Sequence, residues 1–146
     1  MNTKHIPVVL GTARAERKSE GVALATVAII GALEGYSSEL VDVREHVREA
    51  VTVPSWGTGG ADELPTKWKE IVERSHALVI VTPEYNHSFP GELKLLLDSL
   101  HDSYLGKTVG LVGVSGGTLG AARVVDHIKP VLVELKLQLI KQAVHI

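Results

Sequence analysis

The run Ala77–Val81 (ALVIV) is apolar at every position, and it stands between two segments whose apolar residues recur every three or four places. A strand with one solvated face alternates apolar with polar residues, whereas a strand covered on both faces is apolar throughout. The chain repeats this arrangement from end to end. Ile6–Leu10 reads as a first strand ending at Gly11, and Val22, Thr26, Ile29, Ile30 and Leu33 mark a helix that Gly35 stops. Glu39–Val43 reads as a weaker second strand, followed by a helix on Leu64, Trp68, Ile71 and Val72. After Ala77–Val81, a helix on Leu93, Leu96, Leu97 and Leu100 opens near Pro90, where proline suits a first turn. Val109–Val114 forms a fourth strand; Val124, Val125, Ile128, Leu132 and Leu135 mark a fourth helix; Gln138–Val144 closes the pattern as a fifth strand. Pro130 lies within that last helix and predicts one lost internal hydrogen bond and a bend.

Fully apolar strands alternating with helices predict an α/β fold, a parallel sheet with helices on both faces. Right-handed crossovers leave few topologies, and five strands suit the order 2-1-3-4-5. The 146 residues suffice for a single domain, 1–146, with one sizeable core. Val51–Pro65, rich in glycine and proline, is the longest irregular stretch and predicts a mobile surface loop.

Several classes of chemistry are excluded. A net charge of −2 gives no basic surface for nucleic acid, and the absence of cysteine removes disulfides, thiolate nucleophiles and zinc knuckles. The histidines, His5, His46, His76, His87, His101, His127 and His145, are scattered, with no ligand-like pair beside a carboxylate, so no metal site is expected. No apolar run approaches the roughly 18 residues of a membrane span, and the N-terminal run is too short for a signal peptide. The expectation is a soluble, cytoplasmic protein with neither a membrane nor a nucleic-acid partner.

In a sheet of this order, ligands bind at the carboxyl ends of the strands where the order reverses. The loops leaving strands one, three and four are therefore the ones to read. The first, GTARAERKSEGVA (Gly11–Ala23), places Thr12, Arg14, Arg17 and Ser19 between a strand end and a helix start. Ser19 suits an N-cap, and helix amides with hydroxyls and arginines would cradle a phosphate. The loop is neither a Walker A sequence nor GxGxxG, and it reads equally as a solvated basic turn. The second, TPEYNHSFPGELK (Thr82–Lys94), is stiffened by Pro83 and Pro90 and carries a planar Tyr85. It suits the wall of a flat heteroaromatic ligand, or a structural loop with Tyr85 as a plug. The third, SGGTLG (Ser115–Gly120), lets backbone approach a ligand closely, or makes a plain glycine turn.

Together, GTARAERKSE, PEYNHSFPGELKLLLD and SGGTLGAARVVDHIKPVLVEL resemble the NADPH-dependent FMN reductase family, flavodoxin-like flavoproteins that include quinone, azo-dye and chromate reductases. The resemblance covers essentially the whole chain, and it implies a flavodoxin-like three-layer sandwich. It implies that Thr12, Arg14, Arg17 and Ser19 hold the FMN phosphate, and that Pro83, Glu84, Tyr85 and Asn86 run along the isoalloxazine ring, largely through backbone. It further implies that Ser115 and Gly116 meet the pyrimidine side of the ring. Proteins similar to this one continue past the fifth strand into a further helix over the sheet, whereas this sequence ends at Ile146. The resemblance then implies that another subunit covers the face, or that flavin affinity suffers.

The activity implied is hydride transfer from NAD(P)H through the flavin N5 atom to a small acceptor: a quinone, flavin, azo compound or metal oxyanion. The cofactor carries that chemistry, so no side chain need be acid, base or nucleophile. Two other readings remain at this level: a flavodoxin-like electron carrier, and a flavin-free binding module that keeps the fold. A homodimer or homotetramer is expected, because the leucine-rich helix Leu93–Leu100 and the C-terminal face would both need cover.

Overall fold

A computed structural model of the chain describes residues 3–47 and 63–146. The first strand is broken into β1 (Lys4–His5) and β2 (Val8–Leu10), because Pro7 has no N–H to give to a ladder. Its carbonyl still accepts from Val79 N–H at 3.0 Å, so the path of the chain is kept. Helix α1 (Ser19–Gly31) returns the chain to a second strand that is broken likewise, into β3 (Tyr36–Ser37) and β4 (Leu40–Asp42). Val43 does not extend that strand. It opens a short helix α2 (Val43–His46), whose cap is the Asp42 carboxylate accepting from Arg44 N–H. The mobile loop expected at 51–65 lies, through residue 62, outside the described residues; its last three residues open α3 (Glu63–Arg74).

Next come β5 (Ala77–Pro83), α4 (Gly91–Asp98), a 3-10 turn at Asp102–Tyr104, β6 (Thr108–Val114) and α5 (Ala122–Glu134). Helix α5 runs on through Pro130 as one element. The continuous fifth strand expected at 138–144 is instead two short pieces, β7 (Gln138–Leu139) and β8 (Val144–His145), both parallel to β6. Between them β6 advances three residues, Val109 to Val112, while the outer chain advances five, Leu139 to Val144. The two surplus residues bulge out of the ladder. In the main sheet the order is β4-β2-β5-β6-β7, with β8 also on β6, and every pair is parallel.

Strand alternation divides the core between the two faces. Val9, Val41, Leu78, Ile80, Val109 and Leu111 point to the side covered by α3, α4 and α5, where they meet Trp68, Val72, Leu93, Leu97, Ile128 and Leu132. Val8, Leu10, Val81 and Val112 point to the other side, against Ala23 and Ile30 of α1. The four leucines at 93, 96, 97 and 100 are at most 3% exposed, so the chain itself covers them and they do not call for a second subunit. Helix α1 behaves differently. Ala23 and Ile30 are buried, whereas Ile29 and Leu33, which fit the same helical spacing, lie at the surface. Buried polar atoms in the larger cluster are paired in series: Trp68 Nε1–H donates to Tyr104 Oη at 2.8 Å, and Tyr104 Oη–H donates to Leu97 O at 3.2 Å.

Gly113 shows how closely α5 approaches β6. A Cβ there would stand 2.7 Å from Ala121 Cβ and 3.2 Å from the Ala121 carbonyl oxygen, neither of which can swing aside. Gly113→Ala is expected to destabilise the fold by about 1–3 kcal/mol, the range for overpacking a filled core. The midpoint of urea unfolding measures it, and an unchanged midpoint would show that α5 can move off the sheet without cost.

Candidate functional site

At the carboxyl ends of β2, β5 and β6 the sheet opens into a cleft of about 480 Å³. Its floor and walls come from the three loops that leave those strands, with Val22 of α1 and Ile146 closing the sides. Nine of the ten residues expected to bind a ligand line it: Thr12, Arg14, Arg17, Ser19, Pro83, Glu84, Tyr85, Ser115 and Gly116. The tenth, Asn86, lies outside the lining. With His87 it forms the tip of a two-residue turn, both at positive φ (49° and 68°), closed by Tyr85 N–H to Ser88 O and Ser88 N–H to Tyr85 O. The wall is therefore Pro83–Tyr85, and the turn carries the chain away from it.

The first loop starts where Gly11 N–H donates to Val81 O at 2.9 Å, extending the β2–β5 ladder by one bond. A Cβ on Gly11 would fall 2.9 Å from Leu93 Cδ2 and 3.3 Å from Val81 O, so a side chain there would have to displace the tip of Leu93 in α4. Thr12 is fully buried; its hydroxyl shares a 2.8 Å hydrogen bond with the Tyr85 hydroxyl and lies 3.4 Å from Glu92 Oε1. Glu92, in the first turn of α4, also accepts from Ala13 N–H at 2.7 Å. The second loop is thus tied to the first through two side chains.

Arg17 does not face the cleft as a free cation. Its side chain is 2% exposed, and its guanidinium donates to both oxygens of Asp42, to Thr12 O and, at 3.4 Å, to Glu20 Oε2. Asp42 takes further bonds from Arg44: N–H to Oδ1 at 3.0 Å and a guanidinium N–H to Oδ2 at 2.7 Å. Burial by itself would raise the Asp42 carboxyl, but the hydrogen bonds from Arg17 and Arg44 outweigh it and hold the group far below the ordinary carboxylate range. The same hydrogen bond to Asp42 raises Arg17 further above its usual value.

Ser19 is not the N-cap. Lys18 occupies that position in helical geometry without a side-chain cap, and Ser19 is the first residue of α1. Its hydroxyl is buried and has no hydrogen-bond partner among the described residues. An unpaired buried hydroxyl is costly, and this one lies at a helix N-terminus on the cleft wall. Arg14 and Lys18 supply the exposed positive charge of this end, beside Glu16.

Glu84, also expected along the wall, turns its carboxylate toward α5. It accepts from Val124 N–H at 3.3 Å and stands 3.9 Å from the Arg123 guanidinium, so it serves as a cap for that helix from outside it. Glu84 N–H in turn donates to Val114 O at 3.2 Å, which ties the second loop to the end of β6. In the third loop, Ser115 N–H donates to Ile146 O at 2.7 Å, and Ser115 Oγ accepts from Gly117 N–H at 3.1 Å. A Cβ on Gly116 would meet no atom within 4 Å, so the backbone there borders open space.

Glu16, Lys18 and Val22 also line the cleft and lie within the loop already singled out in the sequence; Val114 and Ile146 do so from β6 and the far end of the chain. Asp42, Glu92 and Arg123, which hold the loops in place, were not anticipated. Glu92 had a visible signal, an acid in a helical first turn directly after Pro90-Gly91. Asp42 had none, because its partner is 25 residues away and only the Leu10↔Asp42 strand register brings the two together.

This architecture recurs in FerB, a flavoenzyme NAD(P)H:(acceptor) oxidoreductase from Paracoccus denitrificans, with a TM-score of 0.78 over 97% of this chain and 78% of that one, at 23% identity. The fold is flavodoxin-like. The sequence of the NADPH-dependent FMN reductase family matches residues 5–146, and the chain belongs to that family. Among curated relatives it is 34% identical over 85 residues to 2-hydroxy-1,4-benzoquinone reductase of a Burkholderia species, covering 55% of this chain and 46% of that protein. It is 43% identical over 70 residues to a quinone reductase of Escherichia coli K12, covering 45% and 37%. The chain thus spans less than half the length of these two relatives. FMN as cofactor and a nicotinamide nucleotide as hydride donor fit the family it belongs to.

The cap that Glu84 supplies to α5 gives a direct test of how the walls are joined. Glu84→Ala is expected to cost about 0.5–2 kcal/mol, the range for removing an N-cap side chain. Thermal unfolding measures it; a melting temperature within error of the unaltered protein would show that the α5 amides find water equally well.

Proposed function

We propose that this chain binds FMN in the cleft and works as an NAD(P)H-dependent oxidoreductase that passes hydride to a small acceptor. The observation that carries the reading is Ser19: a buried hydroxyl without a partner among the described residues, at the N-terminus of α1, on the wall of a cleft in a member of an FMN reductase family. A phosphate there would accept from Ser19 Oγ–H at the favourable end of the α1 dipole, where Glu20 N–H is already engaged by Arg17 O at 3.2 Å. Arg14 adds a charge-assisted bond from the rim. Thr12 and Arg17 have their polar groups engaged within the protein, so their part is to hold the loop rather than to meet the phosphate.

Pro83–Tyr85 present backbone to one face of a flat ring system, and Ser115–Gly116 border its edge, where the absence of a side chain at Gly116 leaves room. Bound FMN would supply hydride acceptance and donation between nicotinamide and acceptor. The chain's own residues then bind and orient, and the apolar side chains of Val22, Val114 and Ile146 keep water from part of the cleft. Quinones are the favoured acceptor class, since two of the relatives are quinone reductases by name. Assembly as a homodimer or homotetramer in the cytoplasm belongs to the same reading.

The test is the visible spectrum of the purified protein after excess FMN is removed, followed by one anaerobic addition of NADPH. Oxidised-flavin bands that bleach promptly are the expected result. Bands that persist would point to an electron carrier, and a colourless protein that takes up no added FMN would sink the proposal. Arg14→Ala is expected to weaken FMN binding by about 1.5–3 kcal/mol, as for a hydrogen bond to a charged group. An unchanged dissociation constant by fluorescence titration would remove Arg14 from the phosphate site.

A further inference from the structure

We infer that Asp42 is a positioning residue for the phosphate end of the cleft: it clamps Arg17 against the Thr12 carbonyl, and the clamp sets the loop that presents Arg14 and Ser19. The inference rests on the FMN reading above and assigns a role to a residue that does not line the cleft.

Arg17 is the hinge of the argument. A guanidinium has five N–H groups, and four of those of Arg17 donate within the protein: to the two Asp42 oxygens, the Thr12 carbonyl and Glu20. Swinging it out to meet a phosphate would strand Asp42, whose side chain is only 8% exposed, beside the single remaining cation of Arg44. Asp42 would then keep only an exposed partner and lose the buried one, an unfavourable exchange for a buried carboxylate, so Arg17 stays where it is. The weaker contact to Glu20, 3.4 Å long and with a partner 44% exposed, does not set its place; Asp42 does.

The loop needs such a clamp. Between Thr12 and Ser19 the backbone passes through Glu16 at φ 52°, a left-handed conformation that a residue with a side chain adopts at a cost. Strain of this kind persists where the surroundings over-determine it. Arg17 follows immediately and reaches back to Thr12 O, closing the stretch 12–17 into a ring held from outside by Asp42. Asp42 is well anchored for this: it pairs with Leu10 in the β2–β4 register and caps α2 through Arg44 N–H.

The experiment compares FMN with riboflavin, which lacks only the phosphate, by fluorescence titration of the apoprotein. The unaltered protein is expected to prefer FMN. In Asp42→Asn that preference should fall by about tenfold, while riboflavin affinity changes less than about twofold, because the ring wall at 83–85 is untouched. Arg17→Lys is the companion variant: it keeps the charge a direct phosphate ligand would need but loses the fork that spans Asp42 and Thr12. It should lose the preference too. A preference for FMN that survives in Arg17→Lys or in folded Asp42→Asn overturns the inference alone. Equal binding of FMN and riboflavin by the unaltered protein overturns the phosphate site itself, and the inference with it.

Discussion

Three residues, Val8–Leu10, join the two halves of the sheet. β2 is paired with β4 on one side and β5 on the other, each over three residues, and all three of its side chains are fully buried. Such a strand can be satisfied only between two parallel neighbours with helices on both faces. The order of the sheet therefore reverses at β2, and the loops leaving β2 and β5 diverge above it. The cleft follows from that divergence, and the loops that bound it are held by contacts from neighbouring elements.

That support is supplied by carboxylates from neighbouring elements. Asp42 at the end of β4 holds the first loop through Arg17, and Glu92 in α4 holds it through Ala13 N–H. Glu84 ties the second loop to the start of α5 through Val124 N–H. Asp42 and Glu84 meet donors that are buried or half-buried, whereas Glu92 meets the exposed Ala13 N–H. With these donors engaged, the side-chain polar groups left over at the first loop, among the described residues, are the Ser19 hydroxyl and the exposed Arg14, Glu16 and Lys18. The division of labour is physical: groups that build the wall are spent on the protein, and groups that remain unspent are those a ligand can use.

Much of this was legible in the sequence, for identifiable reasons. Ala77–Val81 could be read as a buried strand because burial on both faces leaves no polar position, and the helices carrying Trp68, Leu93 and Val124 because a covered stripe recurs with the helical period. The breaks at Ile6-Pro7 and at 140–143 were not, since strand continuity depends on which backbone N–H groups find partners in the neighbouring strand. Leu33 and Ile29 fit the helical spacing of Ile30 yet lie at the surface, because spacing identifies a helix without specifying how wide a stripe the sheet will cover. At the cleft, residue types pointed to the three loops that line it, whereas the burial of Arg17 on Asp42 and the exposure of Arg14 were invisible.

By itself the sequence determined the elements, their alternation, and the three loops at one rim. These follow from periods of two and 3.6 and from the local demands of proline and glycine, which act within a few residues. Only the tertiary structure decided which arginine is buried, which hydroxyl has no partner among the described residues, and which acids support the rim. Those outcomes depend on contacts between residues such as Arg17 and Asp42, 25 positions apart, or Thr12 and Tyr85, 73 apart. Parallel pairing at a particular register brings such residues together, and a buried charge then takes whichever partner stands within hydrogen-bonding distance.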